Sequence, residues 1–98
     1  MLYTIDMIRD KTVPIAKAHG VKRMGLFGSY ARGEADENSD VDLMIEKGKV
    51  TSLFKYLAFV LDLEDELKCH VDVVMDGIQD QDFWNSIKKD EVLLYEEH

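Results

Sequence analysis

Residues 26–43 read LFGSYARGEADENSDVDL, and this stretch is the most informative part of the chain. It leaves an apolar segment, turns at Gly28-Ser29 and, after ten further residues, reaches Asp40 and Asp42 in a second apolar segment. A Gly-Ser turn between a strand and a helix can hold phosphate with its backbone N–H groups. Two carboxylates on one strand face provide the oxygen ligands that Mg²⁺ prefers. The stretch therefore predicts a site for a nucleoside triphosphate and a divalent cation.

Helical and strand patterns alternate along the chain. Apolar spacing predicts helices over 2–19, 29–33, 52–68 and 82–89, and strands over 21–27, 40–46, 69–75 and 92–95. Pro14 predicts either a kinked first helix or a second helix that starts at Thr12. The order of these elements predicts a single domain over 1–98 of the α/β (α+β) class, with helices packed against a small mixed sheet.

The helix predicted over 52–68 has one mainly apolar stripe. We expect this stripe to pack in the core, as is usual for an amphipathic helix. Its members are Leu53, Phe54, Leu57, Val60, Leu61, Glu64 and Leu67.

Composition narrows the classes of function. The 98 residues carry a net charge of −8, so direct binding to nucleic acid is not expected, whereas a basic protein partner suits this charge. Cys69 is the single cysteine, which fits a reducing compartment. No apolar run reaches the roughly 18 residues of a membrane span. The first ten residues lack the layout of a signal peptide, and we expect a cytoplasmic protein without membrane contact.

Asp72 lies between Val71 and Val73 in the third predicted strand. A buried, unpaired carboxylate there would be costly, so its position needs an explanation. If this strand lies beside the one that carries Asp40 and Asp42, three carboxylates meet on one sheet face. Such a cluster is typical of a two-metal centre for phosphoryl or nucleotidyl transfer. The alternative is that these aspartates are merely solvated at strand ends and edges.

Two side chains near these motifs have open roles. Arg32 can reach a phosphate or pair with a site carboxylate, or it can form a surface ion pair with Glu34 or Asp36. His70 shares the strand face of Asp72 and can border the site, although a structural role is the simpler expectation.

Two other motifs lack residues that their functions require. Residues 28–33 have the glycine spacing of a P-loop, but Glu34-Ala35 stands where Lys-Ser/Thr is required. Residues 36–40 begin like a calcium loop, but Val41 replaces the needed glycine and Lys47 the closing glutamate.

The string LFGSYARGEADENSDVDLMIE resembles the minimal nucleotidyltransferase domain of the DNA polymerase β-like superfamily. Asp72, in HVDVVMD, occupies the place of the third carboxylate of that family. The resemblance implies transfer of a nucleoside monophosphate from a triphosphate, with release of pyrophosphate. It implies that Asp40 and Asp42 bind two Mg²⁺ ions, and that Asp72 binds one of them and helps activate the attacking hydroxyl. Gly28 and Ser29 would hold the triphosphate of ATP.

Stand-alone members of similar length resemble the antitoxin half of a two-protein system. The resemblance then implies a protein adenylyltransferase that adds AMP to a tyrosine of a HEPN-type ribonuclease toxin encoded nearby, in a hetero-oligomer. Two alternatives stay open: a small-molecule acceptor whose pocket another subunit completes, and a non-catalytic module that neutralises its partner by contact. The three aspartates argue against the last.

Overall fold

A computed structural model describes residues 2–77 and 80–97; residues 1, 78, 79 and 98 of the predicted domain lie outside the described part. In chain order the elements are α1 (Ile5–Ala18), β1 (Arg23–Phe27), α2 (Gly28–Arg32), β2 (Val41–Glu46), α3 (Leu53–Leu67), β3 (Val71–Met75), α4 (Gln81–Lys88) and β4 (Val92–Glu96). The strands form one sheet in the order β3-β2-β1-β4. β1 runs antiparallel to β2 and β4, whereas β2 and β3 are parallel. The prediction of a small mixed sheet with helices is confirmed.

One face of the sheet forms the core with α1 and α3. Met24 and Leu26 of β1 are fully buried there, and so are Val41 and Leu43 of β2, because alternate residues of a strand share a face. The opposite face therefore carries the intervening residues of each strand, among them Asp42. No helix within 2–77 and 80–97 has the length and hydrophobicity to cross a membrane.

Pro14 lies inside a single helix. The Thr4 side chain caps the start of α1 by accepting a hydrogen bond from the Met7 N–H at 3.1 Å, and the helix continues through Pro14 to Ala18. The alternative of a second helix starting at Thr12 is therefore wrong. Pro14 is exposed, so water can satisfy the carbonyl group that loses its helical N–H partner.

α3 buries a different face from the predicted one. Phe59, Leu63 and Leu67 are buried, and they follow one another at intervals of four residues. The expectation that the whole predicted stripe packs in the core is wrong, because four of its large apolar side chains are exposed. These are Leu53, Phe54, Leu57 and Leu61, with exposed fractions of 70%, 87%, 46% and 63%. α3 is apolar on two adjoining faces, and only its contact with the sheet and α1 selects the buried one.

Candidate active site

The parallel pairing of β2 with β3 brings two aspartates together. Asp42 and Asp72 are register partners, so their side chains project from neighbouring strands on the same face. Burial, the charge of Asp72 and a hydrogen bond with it, and then the charge of Asp40 raise the pKa of Asp42 to about 6. Carboxyl groups this close hold a proton or a cation between them, because two bare negative charges repel.

A tight turn delivers Asp40 to the same place. The carboxylate of Asp36 accepts a hydrogen bond from the Asn38 N–H at 2.8 Å, and the Asp36 N–H donates to Ser39 Oγ at 2.9 Å. β2 begins directly after Asp40. One oxygen of Asp40 lies within 4.8 Å of ligand atoms of Asp72 and His70. The structure thus brings together the three aspartates that the sequence predicts as a metal site.

Gly28 stands where β1 passes into α2, directly against Asp42. Its φ of +75° lies in the left-handed region, and a β-carbon on it would collide with the Asp42 carboxylate. Glycine meets both demands, since it has no side chain and adopts positive φ at little cost. Ser29 follows in the first turn of α2, where backbone N–H groups have no partner within the helix. The predicted phosphate turn and the predicted metal ligands are therefore in contact.

Arg32 lies at the margin of the site and is already paired. Its Nε is 3.2 Å from Glu34 Oε2, and its Nη1 is 3.4 Å from Asp90 Oδ2. The side chain is 44% exposed. Its charge also acts to lower the pKa of Asp42, which places it near the aspartates. The structure thus contains the predicted ion pair with Glu34, while the partner on the other side is Asp90 rather than Asp36.

Glu64 is a site neighbour that the sequence analysis missed. His70 Nε2 lies 2.8 Å from Asp72 Oδ1, and His70 Nδ1 lies 3.1 Å from Glu64 Oε2. Glu64 also accepts the Val71 N–H at 3.1 Å, which connects α3 to the start of β3. The hydrogen bond with Asp72, and then its charge, raise the pKa of His70. The sequence gives one indication of this role, because Glu64 is the single carboxylate in the apolar stripe predicted for this helix.

Part of the site lines a cleft of about 600 Å³. Asp42, Glu64, His70 and Asp72 form its polar part, and apolar side chains from four elements form its walls. The apolar lining includes Phe27, Leu57, Val60, Val74 and Phe83. Sites for small molecules and cofactors are commonly clefts of this size, mainly apolar with a few convergent polar groups.

The donor set fits a divalent cation. Asp40 and Asp72 place carboxylate oxygens within 4.8 Å of each other and of a ring nitrogen of His70, and Asp42, the register partner of Asp72, adds a third carboxylate. Burial and then the charges of Asp72 and Asp40 raise the pKa of Asp42, and a bound cation would offset both effects. Hard cations such as Mg²⁺ take oxygen ligands and usually share their shell with substrate phosphates. Arg32 is the positive side chain that lowers this pKa, and it is held by two other carboxylates.

Sequence comparison relates this chain to a known family. Residues 10–98 match the sequence model of the family described as polymerase beta, nucleotidyltransferase. A predicted protein adenylyltransferase of Methanocaldococcus jannaschii is 44% identical over 70 residues, which cover 71% of this chain and 75% of that protein. Protein adenylyltransferase MntA of Thermococcus cleftensis is 46% identical over 56 residues, which cover 57% of each chain.

Solved structures share the fold. A predicted minimal nucleotidyltransferase superimposes with a TM-score of 0.76 at 30% identity, over 86% of both chains. A chain of a toxin-antitoxin crystal structure with AMP-PNP has a TM-score of 0.80 at 18% identity, over 92% of this chain and 74% of its own length. A chain of the complex between tri-AMPylated Shewanella oneidensis HEPN toxin and MNT antitoxin has a TM-score of 0.74 at 15% identity, over 94% and 72%. The family match over residues 10–98, together with the relative that is 44% identical, shows that the chain belongs to the polymerase β nucleotidyltransferase family and is a nucleotidyltransferase.

Proposed function

We propose that this nucleotidyltransferase transfers AMP from ATP to a hydroxyl group of a partner protein, and that it acts in this way as an antitoxin. The contact between the Gly28 turn and the cluster of Asp40, Asp42 and Asp72 supports the chemistry. The acceptor class is supported by relatives, since those compared above are named protein adenylyltransferases. One structure with this fold contains an antitoxin together with an AMPylated HEPN toxin.

Each site residue has a role in this proposal. The backbone N–H groups of Gly28 and Ser29 bind the triphosphate, and Asp40 and Asp42 hold Mg²⁺, with Asp72 as a further ligand on the acceptor side. When bound, one or two Mg²⁺ ions would neutralise phosphate charge and polarise the phosphoryl oxygens. Arg32 can leave its exposed pairs with Glu34 and Asp90 to contact phosphate, since solvent weakens ion pairs at the surface.

The transfer makes one bond and breaks one. The acceptor hydroxyl oxygen bonds to the α-phosphorus of ATP, while the bond from that phosphorus to the oxygen bridging to the β-phosphate breaks. Pyrophosphate leaves, and Asp72 takes the hydroxyl proton. Asp72 is suited to this task because it lies in the open cleft and is oriented by His70 at 2.8 Å.

The acceptor and its setting complete the proposal. A tyrosine of a HEPN-type toxin encoded beside this chain is the proposed target, and a hetero-oligomer with that toxin is the proposed assembly. The net charge of −8 favours encounter with a basic protein surface. Cys69 is a free thiol, which is consistent with the cytoplasm as the proposed location.

Intact mass spectrometry tests the function directly. The product of the neighbouring gene is co-expressed once with the wild-type chain and once with the Asp40→Asn/Asp42→Asn variant, and its mass is measured in each case. We expect the neighbour to gain whole adenylyl units only with the wild-type chain. An unmodified neighbour in the presence of wild type, Mg²⁺ and ATP would contradict the proposal. Labelling of a small molecule instead would favour the alternative acceptor.

A further inference from the structure

His70 lies among the aspartates of the metal site. One of its ring nitrogens, one oxygen of Asp40 and one oxygen of Asp72 all lie within 4.8 Å of one another. Nε2 of His70 is 2.8 Å from Asp72 Oδ1. Ligand atoms that bind one ion at about 2.1 Å lie roughly 3 Å apart, so this pair can share an ion with little movement. The site therefore offers a nitrogen ligand in addition to its carboxylate oxygens.

The other side of the imidazole ring is held by Glu64. Nδ1 of His70 lies 3.1 Å from Glu64 Oε2, and the same oxygen accepts the Val71 N–H at 3.1 Å. Histidines that bind metals commonly donate their second ring N–H to a carboxylate, which fixes the tautomer and the orientation of the ring. With Nδ1–H on Glu64, the remaining nitrogen, Nε2, faces the aspartates, where it can bind an ion.

The type of metal follows from these ligand atoms. Mg²⁺ takes oxygen ligands, whereas imidazole suits Zn²⁺ and other transition-metal ions. With Mg²⁺ bound, His70 therefore stays a hydrogen-bond partner of Asp72, whereas Zn²⁺ can take Nε2 as a ligand of its own.

The group is open to an ion from solvent. The side chains of His70 and Asp72 are 59% and 52% exposed, and Asp40 is exposed as well. Exposed carboxylates by themselves are ordinary on a protein surface. The imidazole that Glu64 and Asp72 hold between them is the feature that distinguishes this group. Three protein ligands also leave a further position on Zn²⁺ for water or a phosphate oxygen.

We infer that His70 is a nitrogen ligand that adapts the metal site to Zn²⁺, with Asp40 and Asp72 as the oxygen ligands and Glu64 as the support of the ring. On binding, the ion replaces the hydrogen bond between Nε2 and Asp72 Oδ1, and the proton of that bond passes to solvent. The inference concerns the choice of metal and does not depend on which acceptor receives AMP.

Calorimetric titration of the tag-free chain with Zn²⁺, without nucleotide or partner, compares wild type with His70→Gln. Glutamine can still donate a hydrogen bond to Asp72 but has no imidazole nitrogen. We expect His70→Gln to weaken Zn²⁺ binding at least about tenfold, since even residues that only support a metal ligand have effects of this size. His19→Gln is the matched control and should bind Zn²⁺ as wild type does, because His19 pairs with Asp62, at 2.7 Å, outside this group.

Proton NMR of the Co²⁺-loaded protein identifies the ligand. Co²⁺ stands in for Zn²⁺, and the ring N–H of a histidine that binds it gives a strongly shifted, exchangeable signal. We expect this signal in wild type and His19→Gln but not in His70→Gln. Mg²⁺ with a non-hydrolysable ATP analogue should raise the melting temperature of His70→Gln as it does that of wild type, which shows that the rest of the site is intact.

Zn²⁺ binding by His70→Gln equal to that of wild type, or a shifted signal that survives this substitution, would overturn the inference. Joint loss of the Zn²⁺ and Mg²⁺ responses in His70→Gln would also overturn it, because His70 would then act only through Asp72. AMP transfer by a wild type whose Zn²⁺ binding is independent of His70 overturns the inference and leaves the proposed function standing. Zn²⁺ binding that depends on His70, without any AMP transfer, supports the inference and contradicts the proposed function.

Discussion

The carboxylate of Asp42 lies against the α-carbon of Gly28, in the space that a β-carbon of residue 28 would need. Two requirements therefore coincide at Gly28, because its φ of +75° is also one that other residues adopt only with strain. Through this contact the turn at the end of β1 determines the position of the Asp42 side chain on β2.

Replacing Gly28 with alanine should displace Asp42 and lower AMP transfer at least about 100-fold, since small misplacements of reacting groups have effects of this size. Gly33→Ala is the matched control. Gly33 has a similar φ of +74°, but a β-carbon there meets nothing within 4 Å. Gly33→Ala should lose roughly 1–2 kcal/mol of stability from the left-handed backbone while keeping its activity. Equal activity losses in the two variants would show that strain, not the contact with Asp42, is responsible.

Neutralising the metal ligands should separate activity from stability. Asp40→Asn/Asp42→Asn should lower the rate of transfer at least about 100-fold, because stabilisation of developing charge is worth several kcal/mol. The same variant should melt no lower than wild type without metal, because it removes repulsion from the cluster. Mg²⁺ with a non-hydrolysable ATP analogue should stabilise only wild type, by roughly 2–4 kcal/mol at saturating ligand. Asp65→Asn removes a charge on exposed α3 and should behave as wild type.

The raised pKa of Asp42 gives the metal-free protein a pH dependence. Between the unfolded value of 3.8 and the folded value of about 6, the native state binds more protons than the unfolded chain. The free energy of unfolding should therefore fall as pH rises through this window, and screening of the half-exposed carboxylate keeps the fall below the full shift. Urea titrations in EDTA from pH 4 to pH 7 should show this decline in wild type and a flatter profile in Asp42→Asn. A stability that rises relative to Asp42→Asn over this range would contradict the assignment.

His70 should act by holding Asp72 in place. It lies 2.8 Å from Asp72 and 3.1 Å from Glu64, so His70→Ala frees the carboxylate to rotate. Loss of such an orienting partner typically costs about 10–100-fold in metal affinity or activity. His19→Ala is the control, because His19 makes a similar pair with Asp62 at 2.7 Å outside the cleft. Steady-state rates of both variants at a temperature where both are folded decide the matter, and equal rates would contradict a role for His70.

The stability of the protein should depend on an ion pair on the sheet face that also carries Asp42. Arg23 of β1 forms a two-bonded pair with Glu91, whose side chain is 6% exposed and lies over Gly25. Glu91→Gln should destabilise the protein by roughly 1–3 kcal/mol, because it weakens two charge-assisted hydrogen bonds, while Glu96 at 3.6 Å and Glu46 at 3.8 Å still compensate part of the Arg23 charge. Asp6→Asn breaks the exposed pair with Arg9 and should cost under about 1 kcal/mol. Chemical denaturation compares the two, and equal effects would place the Arg23 pair among ordinary surface pairs.

Local sequence determined most of what is short-range in the site. The Gly28-Ser29 turn and the two aspartates after it were predictable because a strand repeats every two residues, so the relation of Asp40 to Asp42 depends on local geometry. Their catalytic roles stay predictions. The alternation of helices and strands likewise predicted the fold class, with element ends misplaced by up to three residues.

Tertiary structure alone decided which distant groups meet. The sequence made Asp72 a candidate, but only the parallel register of β2 and β3 puts it beside Asp42. Glu64 reaches His70 because α3 crosses the start of β3, which no periodicity encodes. The same packing decided which side of α3 is buried: helical period predicts that an apolar row exists, whereas the partner that covers it is chosen by the arrangement of the whole chain, and that arrangement leaves Leu57 and Leu61 in solvent.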